Sequence, residues 1–315
     1  MNILIDVDAL VLDGTLSAEL AQKLRASAVR STGSTAINIL LAFGAVAIAA
    51  GILVLWKSTA LIGLFGLVFT GLGYFLHRSS PQWSKLGSIW MVIGGLILSA
   101  YAGYYTPWPA LSPLVSAAIL LGVGVLGSSH LLIALVPLAL CAVLGGRTDY
   151  MHAMYMIAIQ EPTLTIITFT ALGSLAWTAA QRGFYAALSI TFARTCVLLV
   201  NFGFWIGSLW GDTPGRFFAR ASDGQNYVWA AQQTISAPIY SILWAVALVA
   251  AGYWGAVNGR RFLVNTVAVF GAIHFYTQWF ERMGAEPVAV IVAGAITIVI
   301  GLAFWKFNQR ALANY

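Results

Sequence analysis

The chain has 315 residues, of which 60% are apolar and only 8% are charged. A soluble domain carries about 25% charged residues, so this composition excludes an ordinary soluble protein and indicates that lipid is the solvent. The formal net charge of +6 comes from basic residues scattered near loop ends, without a basic run, which argues against nucleic-acid binding. The apolar runs are roughly 18–25 residues long, the length that helices need to cross a hydrocarbon core of about 30 Å.

Residues 1–34 are predicted to form a polar cytosolic tail. Thr15 or Ser17 is placed to cap a short helix, with Glu19 in its first turn. Three aspartates precede any apolar run of sufficient length and no basic n-region is present, so we expect no signal peptide.

Residues 35–315 are predicted to form a transmembrane domain of about ten spans. The predicted spans are 35–56, 59–77, 86–105, 110–127, 130–145, 162–181, 184–210, 236–257, 262–281 and 287–305. The fifth is short and contains Pro137, so its full crossing stays open. Tight loops make sequential helices antiparallel, and the sequence therefore predicts an all-α polytopic bundle.

The distribution of Lys and Arg predicts the orientation of this bundle. With the N-terminus inside, the cytoplasmic side holds ten of these residues and the opposite side five, while Arg194 alone lies within a span; together these are all 16. This bias predicts a multi-pass protein of a bacterial inner membrane with both termini cytoplasmic. The longer connections, 146–161 and 211–235, then face outward.

Three stretches resemble a family of bacterial predicted membrane proteins of unknown function. They are DGTLSAELAQKL at 13–24, ILLAFGAVAIAAGILVLW at 39–56 and VFGAIHFYTQWFERMGAEPVAVIVAGAITIVIGL at 269–302. They are similar to that family's entry helix, its glycine-spaced first span and its final helical hairpin. The resemblance implies a short cytosolic helix followed by many tightly connected spans, and it implies no activity and no functional residues.

Two polar stripes inside the predicted spans supply candidate functional residues. Arg194 and Asn201 are seven residues apart on the seventh span, and His274, Gln278 and Glu281 follow i, i+4, i+7 spacing on the ninth. Ionisable residues within a bilayer usually face a protein interior or a wet cavity, so we expect both stripes to face the bundle. Arg194 suggests an anion or lipid-phosphate contact, with snorkelling to the interface as the alternative. The second stripe suggests a proton or cation relay. The alternative to a relay is that Glu281 lies at the end of a loop and that His274 bonds to a neighbouring backbone carbonyl.

Rows of small residues predict close helix contacts. They are Gly203, Gly207 and Gly211 on the seventh span, Gly95, Ser99 and Gly103 on the third, and Ala247, Ala251, Gly255 and Gly259 on the eighth. Such rows pack helices within one chain, or else form the seam of a homo-oligomer or a membrane complex.

The first outer connection contains the sequence MHAMYM. Met151, His152, Met154 and Met156 combine thioether and imidazole groups that suit Cu(I). The alternative is an interfacial helix whose apolar side chains sink into lipid. Elsewhere the sequence has no metal-ligand spacing, and Cys141 and Cys196 are expected to be buried thiols.

The second outer connection is predicted to hold a surface helix. Asp212 or Thr213 would cap it, with Pro214 in its first position. Arg216 and Arg220 are one turn apart beside aromatic residues, a pattern that can hold lipid phosphates.

The sequence favours a transporter or channel-like protein for a small solute, an ion or a lipid. The alternative is a non-catalytic structural or accessory subunit of a membrane complex. A membrane-embedded enzyme is less favoured, because no paired carboxylates or metal-ligand set occurs in the spans. We expect no cofactor, and we expect membrane lipids as partners.

Overall fold

The computed structural model describes residues 58–79, 83–108, 111–151, 154–215 and 234–283, together with parts of 10–52 and of 286–302. The chain divides into two compact units, Met1–Val136 and Pro137–Tyr315. The longer elements among these residues are, in chain order, α1 (Thr59–Ser79), α2 (Ser84–Tyr105), α3 (Ser112–Leu126), α4 (His130–Val143), β1 (Arg147–Met151), β2 (Met154–Ala158), α5 (Pro162–Gln181), α6 (Ala186–Trp210), α7 (Ala237–Val257) and α8 (Arg261–Met283).

The described part of the chain contains five helices that are long and apolar enough to cross a membrane, namely α1, α2, α5, α6 and α7. Helices α3 and α4 have 15 and 14 residues and extend only about 21–23 Å, less than the hydrocarbon core of about 30 Å. Helix α8 has 23 residues but carries a polar face and is not among the five. The described residues between 40 and 52, and between 287 and 302, are helical. The expected helical membrane fold is therefore confirmed in its class.

The N-terminal tail contains the predicted short helix. The Leu20 backbone N–H donates to Ser17 Oγ over 3.3 Å, which confirms Ser17 as the cap. Glu19 and Lys23 form an exposed ion pair of 2.8 Å one turn further along, a contact that contributes little to stability.

In the first unit, glycines allow α1 and α2 to touch along their backbones. A Cβ atom on Gly87 would lie 2.5 Å from the backbone nitrogen of His77, and one on Gly73 would lie 2.7 Å from the backbone nitrogen of Met91. Any larger residue at these two positions would push the helices apart.

The small-residue row of α2 packs against α3, as its spacing predicts. Ser116 Oγ donates to the Ser99 carbonyl over 3.0 Å, and Ser112 Oγ donates to the Gly103 carbonyl over 2.7 Å. A Cβ on Gly95 would lie 3.2 Å from the nearest side chain. These hydroxyls are satisfied inside the chain, which fits a packing role for the row.

The second unit has two buried clusters. Cys141, Phe169, Cys196 and Leu199 form the first, and both cysteines are free, buried thiols. This agrees with the sequence-based expectation for them. The second cluster is Trp244, Leu248 and Phe270, which joins α7 to α8, with aromatic residues of α6 packed against it.

The Met-rich connection is a β-hairpin, and the predicted interfacial helix is wrong. β1 and β2 are antiparallel, with Arg147 opposite Ala158 and Met151 opposite Met154. β1 contains Thr148 and Tyr150, and β2 contains Tyr155 and Ile157; these residue types favour extended backbone. The ladder between the strands pairs their backbone N–H and C=O groups. His152 and the side chains of the three methionines lie outside the described part of the structure, so the Cu(I) site stays a prediction.

Candidate functional site

The second unit contains a groove of about 710 Å³ bounded by α5, α6, α7 and the start of α8. Helix α6 forms its back wall through residues spaced three or four apart. These are Ile190, Ala193, Arg194, Val197, Val200, Asn201 and Phe204. The spacing places them on one face of the helix, so the groove follows a single helical face.

Three arginines line one end of the groove, where α5 and α7 end and α6 and α8 begin. Arg194 Cζ lies 4.9 Å from the centre of the Phe262 ring, and Arg260 Cζ lies 4.9 Å from the centre of the Trp177 ring. Arg261 lines the same end. Among the described lining residues none is acidic, and within the described part of the chain none of the three arginines forms an ion pair. This end of the groove is therefore strongly electropositive.

The aromatic contacts hold the guanidinium groups without neutralising them. A cation above a ring gains about 0.5–2 kcal/mol. The ring carries no formal charge, so each guanidinium keeps its positive charge and its N–H donors. Those donors match the geometry of a carboxylate or a phosphate, which Arg binds in a bidentate manner. This end of the groove is therefore suited to an oxyanion.

Asn201 and Trp244 line the groove further along α6 and α7, and we refer to this pair as its floor. Trp244 Nε1 donates to Asn201 Oδ1 over 3.0 Å, and Asn201 Nδ2 donates to the Val197 carbonyl over 2.8 Å. Trp244 is fully buried, and its ring meets His274 edge-on at 4.9 Å. Because its polar groups already have partners, this floor presents mainly apolar surface to the groove.

The back wall of the groove extends on both sides of Arg194, from Ile190 to Phe204. Ten residues separate Arg194 from Phe204, which corresponds to about 15 Å along a helix. The part of the groove beyond Arg194 is therefore about half as long as a hydrocarbon core of about 30 Å is thick.

Helices α5 and α7 touch each other at both ends. At the arginine end, Trp177 and Trp254 meet edge to face, with ring centres 6.3 Å apart. At the far end, Thr163 Oγ1 lies 2.5 Å from the hydroxyl oxygen of Tyr240. The groove is therefore enclosed on its flanks as well as at its back.

A buried carboxylate organises the far end. Asp212 Oδ2 accepts from the Thr163 backbone N–H at 2.9 Å, from Thr163 Oγ1 at 2.5 Å and from the Tyr240 hydroxyl at 3.3 Å. The predicted role of Asp212 as the cap of a following surface helix is wrong, because its carboxylate instead meets the positive N-terminus of α5. Next to it, Gly215 N–H donates to the fully buried Glu161 over 2.8 Å.

Sequence reasoning missed this carboxylate cluster. The only local signal is that Glu161 directly precedes Pro162, an arrangement typical of a helix start. Asp212 and Thr163 are 49 positions apart, and no pattern in the sequence connects them.

The structure separates the two predicted polar stripes. Arg194 and Asn201 both line the groove, where Asn201 is buried and Arg194 is exposed. The exposure of Arg194 fits the snorkelling alternative as well as a contact with an anion in the groove. His274 lies behind its floor, and Gln278 is half-buried with an Nε2 atom that has no hydrogen-bond partner. Glu281 is exposed, so its predicted interior placement is wrong and the loop-end alternative fits it better. His274, Gln278 and Glu281 are not among the described residues that line the groove, so the proton or cation relay stays a prediction.

The glycine row of α6 makes the close contacts that its spacing predicts. A Cβ on Gly207 would lie 2.6 Å from the Tyr240 ring, and one on Gly203 would lie 3.3 Å from the Pro162 carbonyl oxygen. Gly211 instead ends the helix with a φ of 65°. The row thus packs α6 against α7 and α5 and is not left free for an oligomer seam.

Arg216 and Arg220, the predicted lipid-headgroup contacts, lie outside the described residues, so they stay predictions. The chain matches no protein-family model, no curated protein and no solved structure, so the resemblance to a bacterial membrane family also stays a prediction.

Proposed function

We propose that this protein is a transporter for an anionic amphiphile, which it binds in the groove along α6. One observation supports this most directly: three arginines, with no acidic residue among the described lining, stand toward one end of a mainly apolar groove. An unneutralised cation in a membrane is costly, and an anionic headgroup would neutralise these three.

The shape of the groove agrees with such a ligand. Its apolar walls would bury an acyl chain, and burial of apolar surface contributes about 25 cal/mol per Å² relative to water. Its closed floor means that a ligand bound at the arginine end cannot pass to the far end unless Asn201 and Trp244 separate. Transport therefore requires that this contact open and close.

We propose further that the protein crosses a bacterial inner membrane about ten times, with both termini in the cytoplasm. The two-to-one bias of Lys and Arg supports this orientation. The arginine end of the groove then faces the cytoplasmic leaflet, whose anionic lipids are attracted to basic residues near the surface.

Binding of a fluorescent fatty acid by the purified full-length protein in zwitterionic lipid nanodiscs tests the proposal. Arg194→Gln should weaken binding at least about tenfold, because one charge-assisted hydrogen bond contributes about 1.5–3 kcal/mol, which corresponds to roughly 10- to 150-fold in affinity. Arg182→Gln is the matched control, because Arg182 is exposed just after α5 and does not line the groove. Equal affinities for the wild type and both variants would contradict the proposal.

Transfer of the same probe across proteoliposome membranes tests the transport step. We expect transfer that is faster with the wild type than with Arg194→Gln. Tight binding with no protein-dependent transfer would instead favour the accessory-subunit alternative.

A further inference from the structure

We infer that the ligand of the groove is a single-chain anionic amphiphile, with one acyl chain along α6 and a carboxylate or phosphate head among the arginines. This inference rests on the proposed function and adds the number of chains, the position of the head and the position of the chain terminus.

The size of the groove limits the ligand to one chain. A volume of about 710 Å³ lies within the range of about 300–1,000 Å³ that encloses one drug-sized molecule. The back wall is a single face of α6, so one elongated track leads away from the arginines. A lipid with two acyl chains would have to leave its second chain outside this track.

Three of the polar side chains along the track are already engaged within the protein. Thr266 Oγ1 donates to the Phe262 carbonyl over 2.8 Å, and Thr178 Oγ1 donates to the Leu175 carbonyl over 2.9 Å. Asn201 is engaged by Trp244 at the floor.

Two further hydroxyls, those of Thr170 and Ser174, line the track on the α5 side. Most of the remaining walls are apolar, so methylene groups would lose nothing by contact with them.

The asymmetry of the groove fixes the direction of the ligand. Its three cations lie toward one end, and Asn201 of its floor is seven residues from Arg194, which is about 10 Å along the helix. A small inorganic anion would leave the apolar part of the groove unfilled. The arrangement therefore places the oxyanion beside Arg194 and the methyl terminus against Trp244 and Leu248.

Tryptophan quenching tests this direction in the full-length protein, reconstituted in zwitterionic nanodiscs. A fatty acid brominated at its terminal carbon should quench Trp244, so Trp244→Phe should remove most of the quenching and Trp177→Phe should leave most of it. With a fatty acid brominated beside its carboxylate, Trp177→Phe should instead remove most of the quenching and Trp244→Phe should leave most of it. If the same tryptophan substitution removed most of the quenching with both probes, the placement of the acyl chain would be overturned.

Competition tests the number of chains. An unlabelled fatty acid and a lysophosphatidate should each displace the brominated probe. The competitor that displaces it at the lower concentration would show whether the groove prefers a carboxylate or a phosphate headgroup. Phosphatidate, with the same phosphate and two chains, should displace it at least tenfold less well. Equal displacement by phosphatidate would overturn the single-chain inference and leave the proposed function standing. Absence of saturable binding by any of the three would overturn both.

A matched pair of variants tests depth without the loss of a tryptophan. Leu248 lines the groove and is 7% exposed, whereas its neighbour Val249 is 73% exposed. Leu248→Phe should shift the preference toward shorter acyl chains, and Val249→Phe should not. An unchanged chain-length preference in a folded Leu248→Phe variant would contradict the floor assignment.

Discussion

Trp244 of α7 donates a hydrogen bond from Nε1 to Oδ1 of Asn201 on α6, and the two buried side chains set the register of these helices at the groove floor. The residues are 43 positions apart. Within the described part of the chain, the Asn201 amide oxygen is the acceptor that this indole N–H bonds.

Replacement of Asn201 by Leu should destabilise the protein by about 1–2 kcal/mol, because it leaves the buried indole N–H without its acceptor. Thermal unfolding in nanodiscs measures this loss. The control is Asn258→Leu, since Asn258 is exposed and bonds only to a backbone carbonyl of its own helix end.

A double-mutant cycle with Trp244→Phe isolates the bond itself. The two substitutions together should cost less than the sum of their separate effects, because the second removes a group that the first has already orphaned. Strict additivity would show that the two side chains do not stabilise each other.

Gly207→Ala should lower stability by about 1–3 kcal/mol, because the new methyl group would overlap the Tyr240 ring. Gly122→Ala makes the same chemical change on α3, where nothing lies within 4 Å of the added Cβ. It should be neutral or stabilising, since Ala favours a helix over Gly by about 1 kcal/mol. If both variants melt at the same temperature, the close contact at Gly207 is not real.

Asp212→Ala should lower the unfolding free energy by about 1–3 kcal/mol, because it removes the acceptor of three donors at the far end of the groove. Asp212→Asn should lose less, since its amide keeps one carbonyl oxygen. Asp13→Ala, at an exposed position of the tail, serves as the control for loss of a carboxylate. A melting order in which Asn and Ala are equally harmful would argue against the hydrogen-bond role.

The Lys and Arg bias predicts that both termini are cytoplasmic. Single cysteines placed at Asn2 and at Asn314 should escape a membrane-impermeant maleimide in intact cells and react after permeabilisation. Cys141 and Cys196 are buried and provide little background. Labelling of either terminus in intact cells would reverse the orientation or make the number of spans odd.

The sequence predicted best those features whose signal lies within a single helix. Gly203 and Gly207 predict that a neighbouring helix approaches α6 closely, because neither position carries a side chain that would keep it away. The sequence does not say which ring fills the space at Gly207, since the choice of Tyr240 depends on how three helices assemble. Asn201 could likewise be placed on an inner face without its partner being known.

The errors have equally specific causes. Each strand of the hairpin has only five residues. A segment this short gives too few alternating polar and apolar positions to identify a strand. Asp212 sits next to a Thr-Pro pair that is typical of a helix start, and this local signal concealed its bond to Thr163. Glu281 has the right helical spacing but lies in the last turn of α8, where the side chain reaches the outside.

The two contacts between α5 and α7 differ in strength, and this difference decides how a ligand enters. The tryptophan pair at the arginine end contributes about 0.5–1.5 kcal/mol, whereas each hydrogen bond to the charged Asp212 at the other end contributes about 1.5–3 kcal/mol. Helices α5 and α7 should therefore separate at the tryptophan end while they stay joined at Asp212. An amphiphile could then enter the groove laterally from the leaflet, with its acyl chain still in the hydrocarbon. In a W177C/W254C variant, a bifunctional maleimide that joins the two thiols should hold these helix ends together and keep the ligand out.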